Sequence, residues 1–141
     1  MQDNAGGRPP SIIIGQDELE ELRLHAVKNL PFESCALLLG QDCAVKSILT
    51  MQNADASSVT FRVEPEELLA AYESAEKSGF QVVGIFHSHP GPPTPSPTDV
   101  RFMMINPVTW VIYSTTEGRF EAHVLDDAHP GRVTQVSIDS V

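Results

Sequence analysis

The sequence predicts an α/β (α+β) fold, a single domain in which a mixed β-sheet is flanked by helices. Three observations lead there. Helical-period and β-prone segments alternate over the N-terminal half, β-prone runs follow one another over the C-terminal half, and a chain of 141 residues that is 41% apolar suffices for one hydrophobic core. Residues 1–10 are polar, with two glycines and two prolines, and read as a flexible arm ahead of a domain over 11–141.

Taken in order, the apolar triplet Ile12-Ile13-Ile14 leads into Asp17 and Glu20, a capping-box signature, and Leu19, Leu22, Ala26 and Leu30 then recur at helical spacing. A first helix is expected over 17–29, before Pro31. ESCALLLG and DCAVKSILTM are apolar, β-tolerant runs on either side of Gly40-Gln41-Asp42, which is the pattern of a hairpin. A polar loop at 52–58 precedes a short strand at 59–63. Pro65 suits the first turn of a second helix, with Leu68, Leu69, Tyr72 and Ala75 along one face and Gly79 closing it. QVVGIF, residues 81–86, is the next strand. A proline tract, a short helix at 97–105 and the strands TWVIYS, RFEAHVL and RVTQVSI complete the domain. There is no internal repeat and no GxxxxGK[ST] or GxGxxG phosphate loop.

Charge narrows the partners. With 19 acidic and 9 basic residues the formal net charge is −10, which opposes binding to a nucleic-acid backbone and favours protein or small-molecule partners. No apolar run approaches the roughly 20 residues of a membrane span, and the opening MQDNAGGRPPS lacks the basic and apolar regions of a signal peptide, so a cytoplasmic protein is expected. Cys35 and Cys43 are too few for a disulfide framework and form no CxxC pair, so cysteine is not expected to supply a metal site.

The stretch GIFHSHPGPPTPSPTD, residues 84–99, carries the most chemistry. In a strand His87 and His89 project to the same face, where two imidazoles can share one ion, and Asp99 is the candidate third ligand once the chain turns back. Two imidazoles and a carboxylate leave a tetrahedral position for water, as in catalytic zinc sites. A second reading stands beside this one: Ser96-Pro97-Thr98-Asp99 is also a helix start, with serine as N-cap and proline at the first helical position. The two are compatible, with the cap aiming Asp99. Glu33, at the head of the apolar run CALLLG, is either an acid at the start of a core strand or an exposed strand-edge residue. His25, His123 and His129 read as structural or solvated, Trp110, Phe61 and Phe86 as core, Asp126-Asp127 as a solvated turn, and Cys35 as a small buried side chain.

Pro31-Phe32-Glu33-Ser34-Cys35-Ala36-Leu37-Leu38-Leu39-Gly40, followed downstream by Gly84-Ile85-Phe86-His87-Ser88-His89-Pro90 and then Ser96-Pro97-Thr98-Asp99, resembles the JAMM (MPN-plus) metalloproteases. These include prokaryotic members and the deubiquitinating subunit of the proteasome lid. The likeness spans most of residues 12–125, with the elements in the family's order. It implies a cytidine-deaminase-like JAMM/MPN fold and one Zn2+ with a catalytic water, held by His87, His89 and Asp99. It further implies Glu33 as general base and then acid, and Ser96 as the serine that helps hold the oxyanion. The implied reaction is hydrolysis of the bond after the C-terminal Gly-Gly of ubiquitin or a ubiquitin-like protein. Release of a small sulfur-carrier protein from its adduct and a non-catalytic MPN scaffold are the alternatives. Protein partners are implied, with a proteasome-like or other complex and a homodimer both open. Six residues, Pro90 to Pro95, separate His89 from Ser96, one fewer than is usual in the family, while the serine-to-aspartate spacing is kept. The segments near 52–58 and 103–109 are short where linkage-specific relatives carry insertions, which implies a minimal enzyme.

Overall fold

Alternation along the β-prone runs builds a sheet with two differently covered faces. The computed structural model describes residues 11–55 and 63–140. Its elements are β1 (Ile12–Ile13), α1 (Gln16–Lys28), β2 (Cys35–Gln41), β3 (Ala44–Met51), α2 (Pro65–Lys77), β4 (Gln81–His89), α3 (Pro97–Ile105), β5 (Thr109–Ser114), β6 (Arg119–Leu125), β7 (Val133–Val136) and β8 (Ile138–Asp139). The strands form one mixed sheet in the order β7-β6-β5-β4-β2-β3-β1-β8. β2 lies antiparallel to β3 and β4, and β4 runs parallel to β5 through the α3 crossover. Only Ser137 separates β7 from β8, although they stand at opposite ends of that order. Since a residue spans no more than about 3.6 Å, the sheet curls until its first and last strands meet.

One face carries Ala36, Leu38, Phe86, Val111 and Tyr113 against Leu22 and Ala26 of α1. The other carries Cys35, Leu37, Leu39, Ile85 and Trp110 against Ala71 and Ala75 of α2 and Met103 of α3. Phe86 and Trp110 are almost wholly buried, and each such side chain contributes about 1.5–3 kcal/mol through burial. The β2–β3 hairpin turns at Asp42, whose φ of 58° is one that aspartate tolerates. Gly40 sits at the bulge before it, where an added Cβ would stand 1.9 Å from the Ala44 carbonyl oxygen.

Several elements differ in detail from the sequence reading. α1 starts at Gln16 with Gly15 as N-cap and no side-chain cap, because Leu19 N–H already reaches the Gly15 carbonyl. Asp17 therefore lies inside the first turn, where its charge favours the helix dipole, and makes no capping box. Leu30 falls beyond α1 and is exposed, as is Leu69, which is a helical step away from the half-buried Leu68 and the buried Ala71 and Ala75. β4 continues past Phe86 to His89, so the histidines close the strand. RVTQVSI divides into β7 and β8 at Ser137. The arm at 1–10 and most of the strand expected at 59–63, with Phe61, lie outside the described residues, and Val63 is in no strand. No helix among the described residues is long and apolar enough to cross a membrane.

Candidate active site

His87 and His89 share a face of β4 because alternation puts Ser88 on the other. Their ring centroids are 5.3 Å apart with planes at 72°. Cys35 at the start of β2 is opposite His87, so the residues just ahead of Cys35 emerge beside the histidines. Glu33 is one of them. It precedes the strand, is only 6% exposed, and its Oε1 accepts a hydrogen bond of 2.6 Å from His87 Nε2. The reading of Glu33 as an exposed strand-edge residue is thereby set aside.

Asp99 comes to the same ring from the first turn of α3. Ser96 caps that helix: its Oγ accepts from Asp99 N–H at 3.1 Å, and Asp99 Oδ2 accepts from Ser96 N–H at 2.9 Å. The other oxygen, Oδ1, stands 3.3 Å from His87 Nδ1. Asp99 thus gives one carboxylate oxygen to the helix cap and turns the other to His87. The six-residue loop before Ser96 is compatible with this placement of Asp99. Among the described residues, no three His, Cys, Asp or Glu donors already form a coordination sphere. The two carboxylates instead close on opposite nitrogens of the His87 ring.

The electrostatics follow from that closure. Burial by itself lowers the His87 pKa, but the hydrogen bonds and charges of Asp99 and Glu33 outweigh it and raise the group above its ordinary value. Burial likewise pushes Asp99 up, yet the His87 hydrogen bond and charge and the Ser96 N–H hold it below the usual carboxylate range. His89 is lowered by burial and then by the neighbouring His87 charge. Its Nε2 is buried without a hydrogen-bond partner among the described residues, a state that costs about 1–3 kcal/mol if nothing fills it. Cys35 opposite His87 is buried, and burial pushes its thiol up to about 12, which rules against a nucleophilic thiolate.

The sequence reading missed the residues that hold these groups. Ser34 and Ser88 are joined by three hydrogen bonds. Asn53 Nδ2 donates to the Glu33 carbonyl at 3.0 Å, and His25 Nε2 donates to the Cys35 carbonyl at 3.1 Å. His123 is structural, as expected, but it reaches the proline rim: Nε2 donates to the Pro93 carbonyl at 3.0 Å. Thr116 Oγ1 donates to the Pro90 carbonyl at the other end of that rim. Most of these side chains act on backbone carbonyls of distant segments, and no local sequence pattern encodes such a partner. Only Ser88 had a signal, its place between two histidines on the opposite face. His129 is exposed beside Asp126 in a turn.

Comparison with known proteins identifies the family. Residues 15–125 match the family model described as prokaryotic homologs of the JAB domain. A desampylase of Pyrococcus furiosus is 36% identical over 129 residues, covering 91% of this chain and 89% of that protein. A probable TtuB-protein conjugate cleaving protease of Thermus thermophilus is 34% identical over 99 residues, covering 69% and 66% respectively. Among solved structures, AF2198, a JAB1/MPN domain protein from Archaeoglobus fulgidus, superposes with a TM-score of 0.62 at 19% identity, covering 92% of this chain and 99% of that one, a likeness of fold alone. By the extent of the family match and the identity to the desampylase, the chain belongs to the prokaryotic JAB-domain family.

Proposed function

We propose that this chain is a zinc-dependent isopeptidase that hydrolyses the bond after the C-terminal Gly-Gly of a ubiquitin-like protein. The observation that carries the reading is the convergence of Glu33 and Asp99 on His87, with His89 beside them at the end of β4. Activity on a protein conjugate is supported by the names of the two relatives, a desampylase and a conjugate-cleaving protease.

The residues fit zinc on two grounds. The 3.3 Å between His87 Nδ1 and Asp99 Oδ1 is the separation of neighbouring ligands at about 2.0–2.1 Å from a tetrahedral ion. The buried His89 Nε2 has no partner among the described residues and is a donor of the right kind. His87, His89 and Asp99 would hold the ion. When bound, zinc supplies a Lewis acid that polarises a carbonyl and acidifies water to a pKa of about 7.

The chain does the rest. Glu33, fixed through its own backbone carbonyl by Asn53, takes a proton from water and passes it to the leaving amine. Ser96 Oγ uses a lone pair on Asp99 N–H and keeps its own proton to donate to the developing oxyanion, a contact of about 3–4 kcal/mol where the donor is preorganised. β2 and β4 are interior strands, so the site lies at strand ends and away from the sheet's two outer strands. A glycine tail, having no side chains, would lie extended along a sheet edge, pairing backbone to backbone, to reach this narrow site. Four of the six rim residues are prolines, and the Thr94 N–H is already bonded to the Pro92 carbonyl. The rim carbonyls of Pro90, Pro92 and Pro93 already accept from Thr116 Oγ1, the Thr94 N–H and His123 Nε2, so the rim is a braced wall beside the site.

The test is to incubate the protein with several ubiquitin-like and sulfur-carrier precursors, each ending in Gly-Gly plus an extension, with and without a chelator. Mass analysis then locates the cut. A chelator-sensitive cut after Gly-Gly is the expected result; no cut on any carrier at full zinc content overturns the proposal.

A further inference from the structure

We infer that Ser34 and Ser88 form a positioning pair that sets where the Glu33 carboxylate stands against His87 and His89. The inference rests on the roles proposed above for those three residues. Ser34 directly follows Glu33, and Ser88 lies between the two histidines. Both serines are buried, at 2% and 1% exposure. Ser88 Oγ accepts from Ser34 N–H at 3.1 Å, the two hydroxyls are 2.7 Å apart, and Ser88 N–H donates to the Ser34 carbonyl at 3.0 Å.

The pair stands where the β2–β4 ladder ends. The last registered partners on that side are Cys35 and His87, and the serines add one more rung beyond them on the face opposite the site. Ala36 and Phe86 are the neighbours along the two strands and Tyr113 stands beside Ser88 on β5, all buried, so water does not compete for the bonds. With the rung in place, Glu33 leaves β2 in a fixed direction and meets His87 Nε2 at 2.6 Å. Misplacement by about 1 Å at such a contact can lower a rate about 100-fold.

The two serines are not equivalent. Ser88 Oγ serves both the N–H and the hydroxyl of residue 34, so Ser88→Ala removes two bonds and strands a buried N–H, whereas Ser34→Ala removes one. Three readouts are compared: kcat and KM on a cleaved carrier, thermal stability, and the NMR signal of the His87 Nε2 proton facing Glu33 in the metal-stripped protein. Ser88→Ala is expected to lower kcat about 30–100-fold with KM within about twofold, and to shift or broaden the ring proton. Ser34→Ala is expected to keep that proton and lose no more than about fivefold in kcat, and the double variant to match Ser88→Ala. Ser88→Thr, which restores the hydroxyl, should recover both signals. If Ser88→Ala does not fold, Ser88→Cys, of similar size but a weak acceptor, takes its place. A wild-type ring proton and kcat in Ser88→Ala, or equal losses in the two single variants, overturns the pair. Should the wild type cleave no carrier, the functional reading fails by itself, and the ring proton in Ser88→Ala still decides the pair.

Discussion

Along β4, Phe86 and Ser88 face α1, while His87 and His89 face the side covered by α2 and α3, so neighbouring residues of one strand enter two environments. The α1 face is a largely apolar core into which the Ser34–Ser88 pair is set, its two hydroxyls bonded to each other. The opposite face buries Glu33, His87, Asp99 and His123 beside its apolar cluster. Burying charge is unfavourable unless it is paired, and here two carboxylates share one imidazole. The contrast separates two kinds of position on the same strands: those that hold the sheet together and those that the sheet holds for chemistry. Substitutions of the apolar residues on the α1 face should act on stability and substitutions on the other face on turnover; the Ser34–Ser88 pair stands apart, because it lies on the first face and acts on the second through Glu33.

The largest effect is expected at Glu33. Glu33→Gln keeps the shape and a hydrogen-bonding oxygen but cannot accept a proton, so cleavage should fall about 100- to 10,000-fold. Metal content and melting temperature should stay near those of the wild type. Turnover measured beside zinc analysis on the same preparation checks this, and wild-type turnover would reduce Glu33 to a structural role. Phe86→Ala, on the other face, should cost about 3–5 kcal/mol by denaturant unfolding, with turnover per folded molecule retained. A stable Phe86→Ala protein without activity would dissolve the distinction between the faces.

The sequence made part of this legible. Periodicity placed α1 and α2, and the chemistry of Ser96, Pro97 and Asp99 located the start of α3 to the residue, because capping is local and stereochemically strict. The His87-x-His89 spacing within a strand put both rings on one side. Curling of the sheet was not legible, since a single residue, Ser137, hides the passage from β7 to β8. Nor was the clamp on His87, because it joins residues 54 positions apart through strand register. Leu69 misled because its type suits a core, while its phase on α2 turns it to the outside.

A smaller effect distinguishes the two duties of Ser96. Ser96→Ala removes the cap and the hydroxyl together and should destabilise the protein by about 1 kcal/mol. Ser96→Asp restores a good capping oxygen without a donor proton, so it should recover that stability. If the hydroxyl also donates to the oxyanion, both variants lose about 100- to 1,000-fold in kcat. If capping is the only duty, Ser96→Asp regains turnover along with stability. Melting curves and kcat on the three proteins are sufficient to decide.

The smallest expected effect is away from the site, at His25 near the end of α1. Its Nε2–H donates to the Cys35 carbonyl, and Nδ1 faces the Asn29 amide, an arrangement made for a neutral ring. Burial accordingly lowers its pKa below the ordinary 6.5. In that situation the unfolded chain takes up the proton first. Stability from this group is therefore fully present above about pH 6.5 and declines as the pH falls from there through the folded-state value. His25→Gln retains a side-chain donor that does not titrate, so the loss of unfolding free energy between pH 7.5 and 5.5, measured in urea, should be smaller in the variant than in the wild type. An identical loss in both would mean that the proton enters elsewhere, and would remove His25 from the α1–β2 junction as a titrating group.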